Sequence, residues 1–329
     1  MKRKIRYLSV LLAILVTFGI AGQSALAATK GSFGDQVLPS WALKSITKMA
    51  LLDVIVGDEN GRFNPQNNVT KQEAVAMTAR LIGLELAQTG VVESLSADEW
   101  AQPTISAALA AGLIVAQEEE VVSGTIWGQQ TASREWVARI AVRAINKDSA
   151  AKQATSSATA FADNDDISPQ AIGYINTAVQ YGIITGFPDN TFQPGALITR
   201  AQIVTVLNNA LPYLKVGKEQ TTSGILTSAS EKSISITSVA GLTEVFVWDG
   251  QTAFFDKNSD NKISSGELVA GQSVTILHKG GTALMVEAAY AVDEPIKPGP
   301  AGPAGAPGAQ GPAGPAGASG AQGPAGPAG

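Results

Sequence analysis

The chain has 329 residues, a single histidine, no cysteine and a formal net charge of −5. Without cysteine, disulfides, thiol catalysis and zinc–thiolate sites are excluded. The acidic balance disfavours nucleic acid as a partner and leaves attraction to any anionic polymer to local groups of cations.

The N-terminus has the form of an export signal. Lys2, Arg3, Lys4 and Arg6 precede an apolar run from Leu8 to Ile20, and Ala25-Leu26-Ala27 supplies an A-x-A cleavage site, giving a signal peptide over residues 1–27. As a membrane anchor the stretch is too short, because Thr17, Gly19, Gly22, Gln23 and Ser24 interrupt it before the roughly 20 apolar residues a span needs. No other segment reaches that length, so the mature chain is expected to be secreted and to contain no membrane span. Loss of those four cations takes its formal charge from −5 to −9.

From Phe33 the sequence repeats itself three times at a spacing of roughly 65 residues. The third copy runs Phe161-Ala-Asp163, then an apolar run to Gly186, then Phe187-Pro-Asp189-Asn-Thr-Phe192-Gln-Pro194, and a second run opens at Thr199-Arg200-Ala-Gln202. The first copy keeps that order with Phe33-Gly-Asp35, Gly57-Asp58, Phe63-Asn-Pro65 and Thr70-Lys71-Gln-Glu73. The second retains Leu95, Asp98 and Ser133-Arg134-Glu-Trp136 but lacks the Phe-x-Pro turn. Each copy reads as helix, loop, helix, with Thr70/Glu73 and Thr199/Gln202 forming capping boxes at the second helix. Val204, Leu207, Leu211 and Leu214 extend the last helix along one apolar face. Phe63 and Phe192 are expected to plug the core below their turns.

Lys71, Arg134 and Arg200 each fall one residue after a helix N-cap, in first turns expected to be exposed. A cation there opposes the helix dipole at a cost of about a few tenths of a kcal/mol, so stability alone would favour an acid. The same place suits a carboxylate or phosphate ligand, which meets unpaired backbone N–H groups and a positive side chain together. The alternative is a solvated cation, or one paired with an acid of the neighbouring repeat.

The G-x-x-D-x-x-F-x-P turn followed by T-[RK]-x-[EQ] resembles the S-layer homology (SLH) family over residues 28–214, in repeats at 33–86, 95–146 and 161–211. That resemblance implies an all-α, pseudo-threefold helical bundle with grooves between neighbouring repeats. It also implies that Lys71, Arg134 and Arg200 help bind pyruvylated secondary cell-wall polysaccharide, whose ketal-linked pyruvate supplies the carboxylate. Asp58 and Asp189 are expected either to contact sugar hydroxyls or only to shape their turns. The implied location is the cell wall or S-layer surface.

Beyond Pro212 the pattern changes to strand alternation in Ile234-Ser-Ile236, Val245-Phe-Val247, Val274-Thr-Ile276 and Leu284-Met-Val286, punctuated by glycines. This predicts a small all-β barrel or sandwich over 222–292. Within it, Asp256-Lys-Asn258-Ser-Asp260-Asn-Lys262-Ile-Ser264-Ser-Gly-Glu267 has the spacing of a twelve-residue calcium loop. Side chains of Asp256, Asn258, Asp260 and Glu267, the Lys262 carbonyl and a water near Ser264 would be the ligands. Asn261 stands where glycine is expected and would have to take the left-handed conformation. The alternative is a solvated turn, so calcium is an expected ion and no cofactor is required. The acidic run at Asp163, Asp165 and Asp166 lacks such spacing and is expected to be a solvated lead-in to a helix.

Residues 293–329 comprise a link and a tail in which every third residue from Gly299 to Gly329 is glycine, the others being Pro, Ala, Gln or Ser. That is the signature of a collagen-like polyproline-II triple helix, and implies a homotrimer. The tail ends on a glycine, and further native sequence past Gly329 is expected. No catalytic constellation stands out: His278 lies in a predicted strand, and there is no nucleophile motif. The expectation is a non-enzymatic wall-anchored protein displaying a stalk. The alternatives are a subunit of the surface lattice, or a tethered enzyme whose catalytic domain lies past residue 329.

Overall fold

The computed structural model describes residues 33–35, 37–86 and 95–289. The signal peptide and the collagen-like tail lie outside the described residues. The described part has a helical half and a β half, which share one compact unit.

Eight helices form the first half: α1 (Ser40–Leu51), α2 (Lys71–Ile82), α3 (Gln102–Ala110), α4 (Arg134–Ala144), α5 (Asp148–Gln153), α6 (Ile172–Gln180), α7 (Arg200–Ala210) and α8 (Lys215–Glu219). The pairs α1/α2, α3/α4 and α6/α7 are three helix–turn–helix units at the predicted spacing. Their first helices end alike, at left-handed Asp53, Gly112 and Gly182 with φ of 58°, 70° and 63°. Their second helices open alike, with Thr70, Ser133 and Thr199 each capping the N–H of the third helical residue. The capping box is complete at Thr70/Glu73 and Thr199/Gln202.

The segments just before these second helices tie the units into a ring. The N–H of Val69 donates to the carbonyl of Ile198, that of Ile198 to Ala132, and that of Ala132 to Val69, at 3.0, 3.1 and 2.8 Å. A continuous apolar core surrounds the ring, with Phe63, Trp127 and Phe192 fully buried as plugs. The last helix is shorter than its apolar pattern predicts. Pro212 has no N–H to continue the ladder, so α7 stops at Ala210 and Leu211–Tyr213 tighten into a 3-10 turn. Leu211 and Leu214 are buried all the same.

The second half is a six-stranded mixed sheet of β1 (Thr221–Ala229), β2 (Ser233–Ser238), β3 (Thr243–Val247), β4 (Ala253–Asp256), β5 (Ser273–Lys279) and β6 (Thr282–Ala288). The strands run in the order β3-β2-β1-β5-β6-β4, and a bridge from Val247 to Thr282 brings β3 back to β6. Leu226, Ile234, Ile236, Val274, Ile276 and Val286 fill the space inside. Alternation thus gives strands of this type because one face of each is buried and the other is wet.

The sheet does not act as a detached spacer. Phe255, Leu277 and Met285 pack against Leu51 of α1, with Leu43 and Leu52 beside them. Lys48 of α1 forms an ion pair with Glu287 of β6. The sequence pattern marks a boundary at Pro212, but the apolar faces on either side of it are buried against each other.

Candidate functional site

Each cation at the start of a second helix lies over the aromatic plug of the next unit, in cyclic order. The Arg200 guanidinium is 4.9 Å from the centre of the Phe63 ring, and that of Arg134 is 4.9 Å from Phe192 and 4.7 Å from Phe187. The Lys71 ammonium is 5.2 Å from Trp127 and 5.7 Å from Trp136. Such stacking contributes roughly 0.5–2 kcal/mol, depending on desolvation. It also explains why the cation is tolerated against the helix dipole. Arg200 donates from Nε to the Phe63 carbonyl at 2.7 Å and from Nη2 to Val56 at 3.1 Å. Arg134 makes the equivalent bonds to Phe192 at 2.9 Å and to Thr185. The first turns are therefore not freely exposed as expected. Burial pushes the Arg134 guanidinium down to about 10, opposed by Asp163, and lowers that of Arg200, opposed by Glu73, Asp35 and Asp58.

Lys71 departs furthest from expectation, being only 9% exposed. Its ammonium reaches Glu119 at 3.2 Å and the side-chain oxygen of Gln130 at 3.0 Å. It is paired with an acid of the neighbouring unit.

The two arginines border clefts built from equivalent segments, the first more highly charged than the second. The Arg200 cleft, about 460 Å³, is lined by the first turn (Ile55 to Asp58), the outer face of α2 with Glu73 and Arg80, and Trp100. The Arg134 cleft, about 130 Å³, is lined by Ile183 to Thr185, by Gln202 and Asn209 of α7, and by Trp41. Trp41 and Trp100 are 39% and 52% exposed, which is unusual for so large an aromatic ring. They hold equivalent places: each precedes a buried alanine, Ala42 or Ala101, whose N–H donates to the carbonyl three residues back. Ala171 makes the same bond in the third unit, and there the preceding residue is Gln170. An arginine held on an aromatic face beside an exposed indole suits a ligand with a carboxylate and an apolar sugar face. Sequence reading missed both tryptophans as site residues; their shared W-A dipeptide at the start of a first helix was the available signal.

Asp58 and Asp189 are engaged inside their own turns. Asp58 accepts from the N–H groups of Asn60 and Arg62, both at 2.9 Å, and from the Asn64 amide. The bond from Arg62, with those from Asn64 and Asn60, holds its carboxyl below the usual range. Asp189 accepts from the hydroxyl and N–H of Thr191, which lower it likewise. Asp58 borders the Arg200 cleft as well.

A further pair of acids carries more structural weight than the sequence suggests. Asp35 accepts from the N–H groups of Phe63 and Asn64 at 2.6 and 2.8 Å, and Asp163 from those of Phe192 and Gln193, both at 2.7 Å. Asn64 and Gln193 are left-handed residues with φ of 55° and 56°, a strained state outside glycine, and the carboxylates fix it. Asp163 is thus a lock on the turn and not a solvated lead-in.

In the 256–267 loop the expected metal ligands are turned to other partners. Asp256 accepts from the N–H of Asn258 and the hydroxyl of Ser259, and Glu267 accepts from the N–H of Ser264 in a capping box. Asp260 is half-buried, and burial raises its carboxyl, opposed by Lys44. The Lys44 ammonium of α1 takes the carbonyls of Asp256, Lys257 and Ser259 at 3.2, 3.3 and 2.6 Å. Lys262 pairs across to Phe255 as an isolated bridge, and Asn261 is not among the left-handed residues. Among the described residues no three acidic or histidine side chains are grouped to hold a metal ion. As folded, the donor set does not converge on an ion. His278 of β5 meets the Thr222 hydroxyl at 2.9 Å, and burial lowers its imidazole.

Comparison with known proteins bears on the two arginine-bearing clefts. The S-layer homology domain matches residues 34–75 and 160–204, the first and third helical units. The chain carries S-layer homology domains. It is 28% identical over 181 residues to exoglucanase XynX of Acetivibrio thermocellus, covering 55% of this chain and 16% of that protein. It is 29% identical over 160 residues to the cellulosome-anchoring protein of the same organism, covering 47% and 34%. With the surface-layer 125 kDa protein of Lysinibacillus sphaericus it shares 26% over 177 residues, covering 53% and 14%. The chain thus spans no more than about a third of these relatives. The repeats place the protein at the cell wall or S-layer surface. No described helix is long and apolar enough to cross a membrane.

Proposed function

We propose that the chain anchors itself non-covalently to the cell wall by binding pyruvylated secondary cell-wall polysaccharide. In this reading the three helical units are three SLH repeats. Arg200 and Arg134 receive ligand carboxylates, and Trp100 and Trp41 provide faces for the sugar rings. The supporting observation is the recurrence of one arrangement, arginine on phenylalanine beside an exposed tryptophan, in two clefts. The β half is braced on α1, and residues 299–329 extend from the chain as a collagen-like, trimerising stalk. The chain binds and displays; it catalyses nothing.

Sedimentation with purified cell-wall sacculi tests this. The protein should pellet with sacculi that retain pyruvylated polymer and not with stripped ones. Arg200→Gln and Arg134→Gln should each weaken retention about tenfold or more, the loss of a charged hydrogen-bonded contact. Folded variants retained as strongly as the parent would remove the clefts from the anchoring role.

Calcium at the 256–267 loop belongs to the same proposal as an accessory ion. Its binding would require Glu267 to leave Ser264 and Lys44 to yield its carbonyls, so occupancy is expected only at extracellular, millimolar-range calcium. Melting temperature should then rise with calcium and fall with chelator, and Glu267→Gln should abolish the response. A melting curve indifferent to calcium assigns the loop to Lys44 alone.

A further inference from the structure

In the groove at Lys71 the chain supplies its own carboxylate. Glu119, whose side chain is 1% exposed, lies 3.2 Å from the Lys71 ammonium and 3.6 Å from the Arg139 guanidinium. The Trp127 indole N–H donates to it at 3.1 Å, and that of Trp136 at 2.9 Å. Two indole donors, an ammonium and a guanidinium surround one carboxylate; the four donor residues are buried, as is the Glu119 side chain. By contrast, no carboxylate lies within ion-pair distance of Arg134 among the described residues, and Arg200 meets Glu73 only at 3.9 Å. The middle unit has lost the Phe-x-Pro turn of the other two, and the segment Glu118-Glu119-Glu120, which starts on the last residue of a 3-10 turn, runs into the gap. Glu118 bonds Arg143 at 2.5 Å, which fixes the strap from its other side. The sugar-facing tryptophan is missing here too, since Gln170 holds the place of Trp41 and Trp100.

We infer that the Lys71 groove is closed by an internal ligand mimic. Glu119 occupies the position that a ketal-pyruvate carboxylate takes in the other two grooves, so the module has two working sites and one that has become core. The inference rests on the carboxylate-binding role proposed for the Arg134 and Arg200 clefts. Glu119 is thereby a residue that sets binding stoichiometry without touching the glycan.

Two measurements on the full chain test it. The first removes the mimic with Glu119→Ala and reads chemical rescue. Sodium pyruvate, but not sodium chloride at equal ionic strength, should raise the variant's melting temperature and change the fluorescence of Trp127 and Trp136, with a smaller response from the parent. This readout needs no polysaccharide and stands even if the anchoring proposal fails. A folded variant with no pyruvate-specific response would overturn the inference.

Should Glu119→Ala not fold, the paired change Lys71→Met with Glu119→Leu removes both charges together and carries the second measurement. That variant should remain on pyruvylated sacculi within about twofold of the parent, whereas Arg200→Gln loses about tenfold or more. Retention by the paired variant as poor as that of Arg200→Gln would place Lys71 in a working site and overturn the inference.

Discussion

The Arg200 and Lys71 grooves begin from the same sequence signal and end in opposite states. Both place a cation one residue after a helix cap and over an aromatic ring of the next unit. Around Arg200 the turn is a tight Gly-Asp loop locked by Asp35, and the guanidinium is met by carbonyls and a distant acid. Around Lys71 the turn is replaced by an acidic strap, and the ammonium is neutralised within the fold. A shared position on a helix therefore does not decide whether a cation faces ligand or core. The chain that passes over it decides.

The largest expected effect that tests this contrast is in the plugs. Phe63→Ala or Phe192→Ala should cost about 3–5 kcal/mol as buried aromatic deletions. Trp127→Ala should cost at least as much, because it also strips a donor from the buried Glu119 carboxylate. Denaturant unfolding gives the comparison; a Trp127→Ala variant milder than Phe192→Ala would mean the middle groove is not part of the core.

Next comes acid sensitivity, which should be concentrated on the closed side. Burial raises the Asp148 carboxyl, but bonds from Lys152, Tyr174 and Arg143 outweigh it and hold the group well below its ordinary 3.8. A depressed carboxylate contributes stability above its unfolded value, and that contribution is lost as pH falls through the folded one. Stability should thus decline as pH drops below about 4, and Asp148→Asn should flatten that part of the profile while lowering stability at neutral pH. An unchanged profile in the variant would shift the acid response to other carboxylates.

The smallest effect distinguishes the helix starts. Thr70→Ala and Thr199→Ala break complete capping boxes and should cost about 1 kcal/mol each. Ser133 caps the N–H of Trp136, and a tryptophan at that third helical position cannot return the bond, while Glu135 accepts from Ser168. Ser133→Ala should therefore cost less, about 0.5 kcal/mol, in thermal melts of the three variants.

Local order was legible in the sequence wherever it depends on near neighbours. The capping boxes and the strand alternation are set by spacings of two to four residues, the Phe plugs by the need to bury one face, and the 65-residue period by the likeness of the copies to one another. The place of the three cations at helix starts followed from the same rules. Their surroundings did not, because the partners come from far along the chain: Glu119 is 48 residues from Lys71, and Phe63 is 137 from Arg200. The same reason hides Lys44 in the 256–267 loop, 212 residues away from Asp256, and the pairing of Trp41 with the Arg134 cleft. Sequence alone determined which helices and strands form and where each cation stands on its helix. Only the tertiary structure decided which cations stay open to a ligand, because that depends on which distant acid or carbonyl the closed ring of units brings beside them.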